Sequence, residues 1–211
     1  MTGTAAGLRR ILLPAHRLFE RAGGYALNQW IGRPTTDRFR RLIAEEVEPL
    51  AARRILDIGC GIGNYRTCFA GIAYRGVDIN AAYIETARAR FPDTRFDVMD
   101  ATHLDLPTQS CDAAITIATT HHLDDRRLEA TVREALRVIE PTGYFHVIDA
   151  VMPFSPNFAF KRFWFGLDRG AFPRKSYELA AILERGGRIV RRRLMSGPLH
   201  DTAYFRLVRS S

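Results

Sequence analysis

Chemistry is concentrated between Ile55 and Tyr65, where the chain reads ILDIGCGIGNY. Gly59 and Gly61 carry no Cβ, so the backbone can turn sharply there and approach a ligand closely. A dinucleotide loop would space its glycines G-x-G-x-x-G, seating a pyrophosphate on the following helix N-terminus. Here the third glycine, Gly63, comes one residue early, and Asn64 takes the dinucleotide position. Asp57 also precedes the loop, where it would repel a phosphate. The stretch suits a ligand with a cationic or neutral middle and argues against NAD. Two further acids follow later apolar runs: Asp78, 21 residues after Asp57, and Asp100. Asp78 can accept from both hydroxyls of a ribose. Three acids at strand ends are costly unless a polar or cationic ligand meets them.

A second group lies further on. His121 and His122 follow an apolar run, and either could take a proton from a hydroxyl or an amine, or simply shape the loop. His146 and Asp149 fall in the next apolar run, where Asp149 either faces a pocket or makes a structural hydrogen bond. Cys60 reads as a small loop residue close to a ligand, and Cys68 and Cys111 read as packing residues. The chain has no CxxC and no Cys/His cluster, so no metal is expected.

The elements that must position these residues follow from periodicity. Thr36 or Asp37 caps a helix to about Val47, which Pro49 ends. Arg54 to Ile58 is a short strand, and a helical stretch follows the glycines to about Ala70. Tyr74 to Ile79, Arg95 to Met99, Asp112 to Ala118 and Tyr144 to Val151 read as strands. Helices are expected at Ala81 to Phe91 and Arg126 to Ile139, with a turn at Pro141-Thr-Gly143. Strands alternating with helices of this length form βαβ units on a parallel sheet. Ser176 caps a helix to Glu184, which Gly186-Gly187 ends. Arg188 to Met195 and Ala203 to Arg209 then suit an antiparallel edge hairpin.

From Asp57-Ile-Gly59-Cys-Gly61-Ile-Gly63 the sequence resembles the class I S-adenosylmethionine-dependent methyltransferases, whose first motif is D-x-G-x-G-x-G. The likeness is to small-molecule members of the type 11 and type 25 kind. It covers roughly residues 36–151 and, more loosely, the hairpin to Arg209. Thr119 to Asp125 and Leu136 to Gly143 also follow the family pattern, with Thr142 in place of a usual glycine. The resemblance implies that Asp57, Gly59, Cys60, Gly61, Gly63 and Asn64 line the cofactor. It gives Asp78 the ribose hydroxyls, Ile79 the adenine face, and Asp100-Ala101 the adenine amino group and ring nitrogen. Ala118 falls beneath the methionine part. The implied fold is a Rossmann-like, doubly wound, seven-stranded α/β sheet, mostly parallel, with helices on both faces. S-adenosylmethionine is the implied cofactor and S-adenosylhomocysteine the product. The expected domain spans 36–211, preceded by a helical extension over 1–35.

Residues 152–174 contain seven aromatics, together with Lys161, Arg162, Arg169 and Arg174. They read either as a substrate lid, with Phe154, Phe163, Trp164 and Arg169 toward the acceptor and Arg162, Arg169 or Arg174 able to hold an acidic group, or as an ordinary helix covering the sheet with its arginines solvated.

Charge separates the candidate partners. The 211 residues carry a net +8, yet residues 55–150 balance at −5, against +5 before them and +8 after. The enzyme-like centre is acidic and the flanks are basic. Leu8 to Ala22 is amphipathic and Arg-rich, either packing on the domain or lying at a membrane surface. It does not read as a secretory signal, and no apolar run approaches the roughly 20 residues of a membrane span. The expectation is a cytoplasmic enzyme, either free or peripheral to a membrane, that methylates O, N or C of a small or lipid-like acceptor. A lipid or quinone acceptor at an anionic membrane, or a non-catalytic cofactor binder, stands as an alternative. Nucleic acid rests only on the overall charge and on Arg191-Arg-Arg193; an oligomer is left open.

Overall fold

The computed structural model of the chain describes residues 35–48, 52–153, 171–197 and 201–210. The chain divides into two units, Met1–Asp37 and Arg38–Ser211, and the account below concerns the second. The segment Leu8 to Ala22 lies outside the described residues.

Seven strands form one sheet: β1 (Arg54–Ile58), β2 (Ala73–Asp78), β3 (Arg95–Val98), β4 (Cys111–Ile117), β5 (Ile139–Val151), β6 (Arg188–Met195) and β7 (Asp201–Val208). Their order is β3-β2-β1-β4-β5-β7-β6. The first five pair in parallel, while β7 pairs antiparallel with both β5 and β6. Because the chain runs outward from β1 to β3 and then returns to place β4 on the other side of β1, the order reverses between β1 and β4. Ligands of open α/β sheets bind at the carboxyl ends of strands at such a point.

Helices cover both faces: α1 over residues 35–46, α2 (Ala81–Arg90), α3 (Asp125–Val138) and α4 (Ser176–Gly186). Central strands are buried on both sides, so successive side chains feed two separate cores. Leu56, Ile58, Phe145 and Val147 pack with Leu128, Val132 and Leu136 of α3 and Leu179 and Leu183 of α4. Ile55, Ile115, Ile117 and Ile148 pack instead with Phe39, Leu42 and Ile43 of α1 and with Ile84 of α2.

Two local expectations are corrected. The helical stretch to Ala70 is only a 3-10 turn at Arg66–Phe69. Its neighbourhood closes on Arg66 N to Gly63 O and Cys68 N to Tyr65 O, bonds of three-residue span that do not propagate an α-helix. Nor is Pro141-Thr-Gly143 a free turn. Ile139 turns extended directly after α3, and β5 runs through these residues, with an irregular register against β4 between Cys111 and Ala113. A Cβ on Gly143 would lie 2.3 Å from the Asp112 carbonyl oxygen, so this backbone-to-backbone approach requires glycine.

Two arginines of edge strand β6 have acidic partners. Arg191 and Arg193 reach Glu46 of α1 at 3.0 and 2.9 Å, and Arg193 also reaches Glu45 at 2.7 Å. Among the described residues, no helix is long and apolar enough to cross a membrane.

Candidate active site

The loop after β1 is held by its neighbour strand. Gly59 N and Cys60 N both donate to Val77 O, at 2.8 and 3.0 Å. Gly61 N then donates to Oδ2 of Asp78 at 2.9 Å, while Asn80 N donates to Oδ1 at 2.9 Å. The Asp78 carboxylate is thereby oriented at the end of β2, with acceptor capacity left on both oxygens. Met99 N donates to Asp78 O at 3.1 Å, which brings the turn after β3 alongside. In that turn Oδ1 of Asp100 accepts from Thr102 N and Oγ1, and Arg127 approaches Oδ2 at 3.4 Å. The Thr102 amide, followed by its hydroxyl and by Arg127, keeps the Asp100 carboxyl below its ordinary range despite partial burial.

The three loop glycines do different work, although all have positive φ (Gly59 +77°, Gly61 +54°, Gly63 +75°). A Cβ on Gly59 would meet the Thr119 side chain at 2.5 Å, because the β4 loop crosses here. A Cβ on Gly63 would press on the rings of Phe91 and Phe96 at 3.1 Å, so Gly63 serves packing of the loop. Only at Gly61 would a Cβ meet nothing within 4 Å among the three. Asn64 is turned to arginines: its Oδ1 accepts from Arg90 and its carbonyl from Arg40.

Asp57 is 1 % exposed. Oδ2 accepts from the Tyr74 hydroxyl at 2.6 Å, and buried Oδ1 has no hydrogen-bond partner among the described residues. Burial, assisted by the charge of Asp78 and opposed by the Tyr74 bond, pushes its carboxyl up to about 7. Burial likewise pushes the Cys60 thiol up, which keeps it from acting as a thiolate. Ile79 is 60 % exposed, an apolar side chain at the rim beside Asp78. Ala118 closes β4 with φ +54°, a conformation few non-glycine residues adopt.

Beyond Ala118 the chain makes a 3-10 turn, Thr120–His122, and Asp124 then caps α3 by accepting from Arg127 N at 2.8 Å. His121 is buried and His122 exposed, which separates two residues that the sequence left equivalent. Nδ1 of His121 lies 2.7 Å from Oδ1 of Asp149, and the two histidine rings are 4.2 Å apart. Asp149 is fully buried, and its Oδ2 accepts from the Thr120 hydroxyl and from His121 N. Burial alone would raise this carboxyl; His121, through its charge and hydrogen bond, then Thr120 and Ala150 N, bring it below its ordinary value. The arrangement fixes one ring nitrogen, so any proton exchanged with a ligand passes through Nε2. His146 belongs elsewhere. Its Nδ1 lies 3.0 Å from the Tyr204 hydroxyl in the opposite core, and burial depresses it to about 3.

The structure thus brings Asp57, Gly59, Cys60, Gly61, Asp78, Ile79, Asp100, Ala101, Ala118 and His121 to the carboxyl end of β1 to β4. Phe154, Phe163, Trp164 and Arg169 lie outside the described residues. Arg174, which the sequence offered as an anion anchor, is instead buried and engaged with the loop 120–125. The sequence places Tyr74 in a strand and Thr119 in the stretch after one, but gives neither a contact to the loop. A tyrosine within a strand and a threonine after one carry no signal of a cofactor loop. Among the described residues, no group of three or more His, Cys, Asp or Glu is placed to hold a metal ion.

Residues 56–147 match the family model described as a methyltransferase domain. Two curated relatives agree. The methyltransferase GfsG of Streptomyces halstedii is 29% identical over 125 residues, covering 55% of this chain and 44% of that protein. The fatty-acid O-methyltransferase of Mycolicibacterium smegmatis is 31% identical over 104 residues, covering 46% and 37%. The matches thus span about half or less of these relatives' length. Among solved structures, a Thermotoga maritima S-adenosylmethionine-dependent methyltransferase, described as a possible histamine N-methyltransferase, superposes with a TM-score of 0.70. It shares 17% identity and covers 92% of this chain and 99% of its own. Together, the matched stretch and the fold are similar to those of S-adenosylmethionine-dependent methyltransferases, whose cofactor is S-adenosylmethionine. The residues present fit that group: open space at Gly61, an unpartnered buried carboxylate oxygen on Asp57, and the exposed Ile79 face.

Proposed function

We propose that this chain transfers the methyl group of S-adenosylmethionine to a hydroxyl oxygen of a small or lipid-like acceptor, with His121 as general base. The observation that carries the reading is the buried pair of Asp149 on β5 with His121 in the turn that follows Ala118. Asp78 would hold the ribose hydroxyls, Ile79 and Asp100-Ala101 the adenine, and Gly59, Cys60 and Gly61 the remainder along the loop. Gly63 and Asn64 would act behind that surface. When bound, the cofactor supplies a methyl group on a sulfonium, and transfer to oxygen leaves a neutral thioether. Asp149 keeps the imidazole in the tautomer that carries its proton on Nδ1, so Nε2 can accept the hydroxyl proton as the O–C bond forms. Such a base contributes about 10²- to 10⁴-fold, with proximity supplying the rest.

An amine or carbon acceptor makes less use of this pair, and a carboxylate needs no base at all. The curated relatives named O-methyltransferases support oxygen as the acceptor atom. A nucleic-acid acceptor loses its local support, because Arg191 and Arg193 are ion-paired to Glu45 and Glu46. The membrane reading rested on residues outside those described.

The test is transfer of labelled methyl to a panel of phenols, aliphatic hydroxy acids, fatty acids and amines, with His121→Gln alongside. The reading expects hydroxyl acceptors to be methylated and that activity to fall at least about 100-fold in the variant. Transfer to carboxylates alone, undiminished in His121→Gln, would reject the base and the acceptor class together.

A further inference from the structure

We infer that Arg174 is a positioning residue that holds the His121 imidazole against Asp149, an inference that rests on the proposed role of His121. Arg174 is 8 % exposed, and its guanidinium bonds to the backbone of the turn and to Asp125. Its Nη1 donates to Thr120 O at 2.8 Å, and its Nη2 donates to Leu123 O at 2.7 Å. Nε and Nη2 also reach Oδ1 of Asp125, at 3.1 and 2.7 Å. The backbone beside it grips the same turn: Phe172 N donates to His121 O at 3.0 Å, and Met152 N donates to Arg174 O at 2.8 Å. Met152 follows Asp149 by three residues, so the clamp closes on the strand that carries the carboxylate.

The turn Thr120–His122 is thereby held from two sides. Asp149 takes its donors: the Thr120 hydroxyl, His121 N and the His121 ring. Arg174 and Phe172 supply donors to the carbonyls of residues 120, 121 and 123. Stability alone is a poor reason for a buried guanidinium whose acid partner, Asp125, is more than half exposed. What the planar fork provides, and a lysine cannot, is several donors at fixed angles to separate carbonyls. Misplacement of a reacting group by about 1 Å can cost about 100-fold in rate, so such a clamp acts on turnover.

The experiment uses the full chain with Arg174→Lys, which keeps the charge and loses the fork, and Asp125→Asn as a milder variant. The ¹⁵N-labelled His121 ring is titrated by NMR, where the charged groups facing it include Asp149 on β5, the neighbouring His122, and Arg174 with Asp125 behind the turn. S-adenosylhomocysteine binding serves as the control. In Arg174→Lys the His121 pKa is expected to fall by about one unit as its grip on Asp149 loosens. S-adenosylhomocysteine affinity is expected to stay within about twofold, and kcat to drop about 10- to 100-fold with its acid limb displaced by the same amount. Asp125→Asn is expected to shift His121 in the same direction by less. An unchanged His121 titration in a folded Arg174→Lys protein overturns the proposal, however much its melting temperature drops. If Arg174→Lys does not fold, an unchanged titration in Asp125→Asn overturns it. Retained transfer in His121→Gln would reject the base and leave the clamp measurable by NMR.

Discussion

The phenol of Tyr74 on β2 donates to Oδ2 of Asp57 on the adjacent parallel strand β1 at 2.6 Å, while the other carboxylate oxygen is buried with no hydrogen-bond partner among the described residues. A fully buried acid facing the cofactor loop in this way couples ligand charge to protonation. The half-satisfied carboxylate is what a cationic ligand would meet.

Binding of S-adenosylmethionine should therefore depend on pH through Asp57, whose carboxyl is pushed up to about 7 by burial. A cationic ligand favours the ionised form, so affinity rises with pH up to about 7 and then levels, with a proton released on binding below that point. The unfolded chain releases the same proton near pH ~4. Between these values the folded protein holds the extra proton, so the stability of the cofactor-free protein falls as pH rises across that window. Tyr74→Phe removes the bond that opposes the shift and should move the folded-state break, in affinity and in stability alike, to higher pH while the lower end of the window stays near pH ~4. Calorimetry in buffers of differing ionisation enthalpy measures the proton; no release at pH 6 would contradict the assignment.

The glycines of the loop should separate binding from folding. Gly59→Ala drives a Cβ into Thr119 on a backbone with φ +77°, and should cost about 2–4 kcal/mol in urea unfolding. Gly61→Ala meets nothing in the protein and should cost only about 1 kcal/mol for its left-handed backbone, yet abolish cofactor binding. Equal effects of the two variants on stability would contradict this division.

How much of this was legible in the sequence depends on what each feature requires of its residue. Alternating apolar runs specify the strands, and the glycine-acid spacing locates the loop, because backbone turns and buried faces restrict residue type locally. The parallel order and the edge hairpin follow from those runs. What escaped is what tertiary contact decides. Gly61 differs from Gly59 and Gly63 only through Thr119 and the rings of Phe91 and Phe96. His121 differs from His122 only because Asp149, 28 residues away, lies beneath one of them. Arg174 reads as a solvated or ligand-facing charge until the carbonyls of residues 120 and 123 surround it.

Asp149 should be a pH-dependent staple of the fold. Its carboxyl lies below the ordinary range, so its contribution is present at neutral pH and is lost as pH falls through that lowered value. Asp149→Asn leaves His121 without its carboxylate partner, and should lower stability by about 3 kcal/mol at pH 7. The difference from the unsubstituted chain should shrink in acid. Denaturant titrations at several pH values measure it; a constant difference would contradict the pairing.

Ala118 should be stabilised by losing its methyl group. With φ +54° it sits where glycine is preferred, and Ala118→Gly should raise stability by about 1 kcal/mol. A thermal melt showing destabilisation would indicate that the methyl group, through its packing against Ile117 and its neighbours, outweighs the backbone term.

The central claim is that the loop of Gly59 and Gly61, with Asp78, holds the cofactor, and calorimetric titration with S-adenosylhomocysteine tests it most directly. Binding in the micromolar range, about −8 kcal/mol, is expected for the unsubstituted chain. It should be abolished by Gly61→Val and weakened at least about 100-fold by Asp78→Ala, with both variants still folded. Binding unchanged in both folded variants would contradict the account.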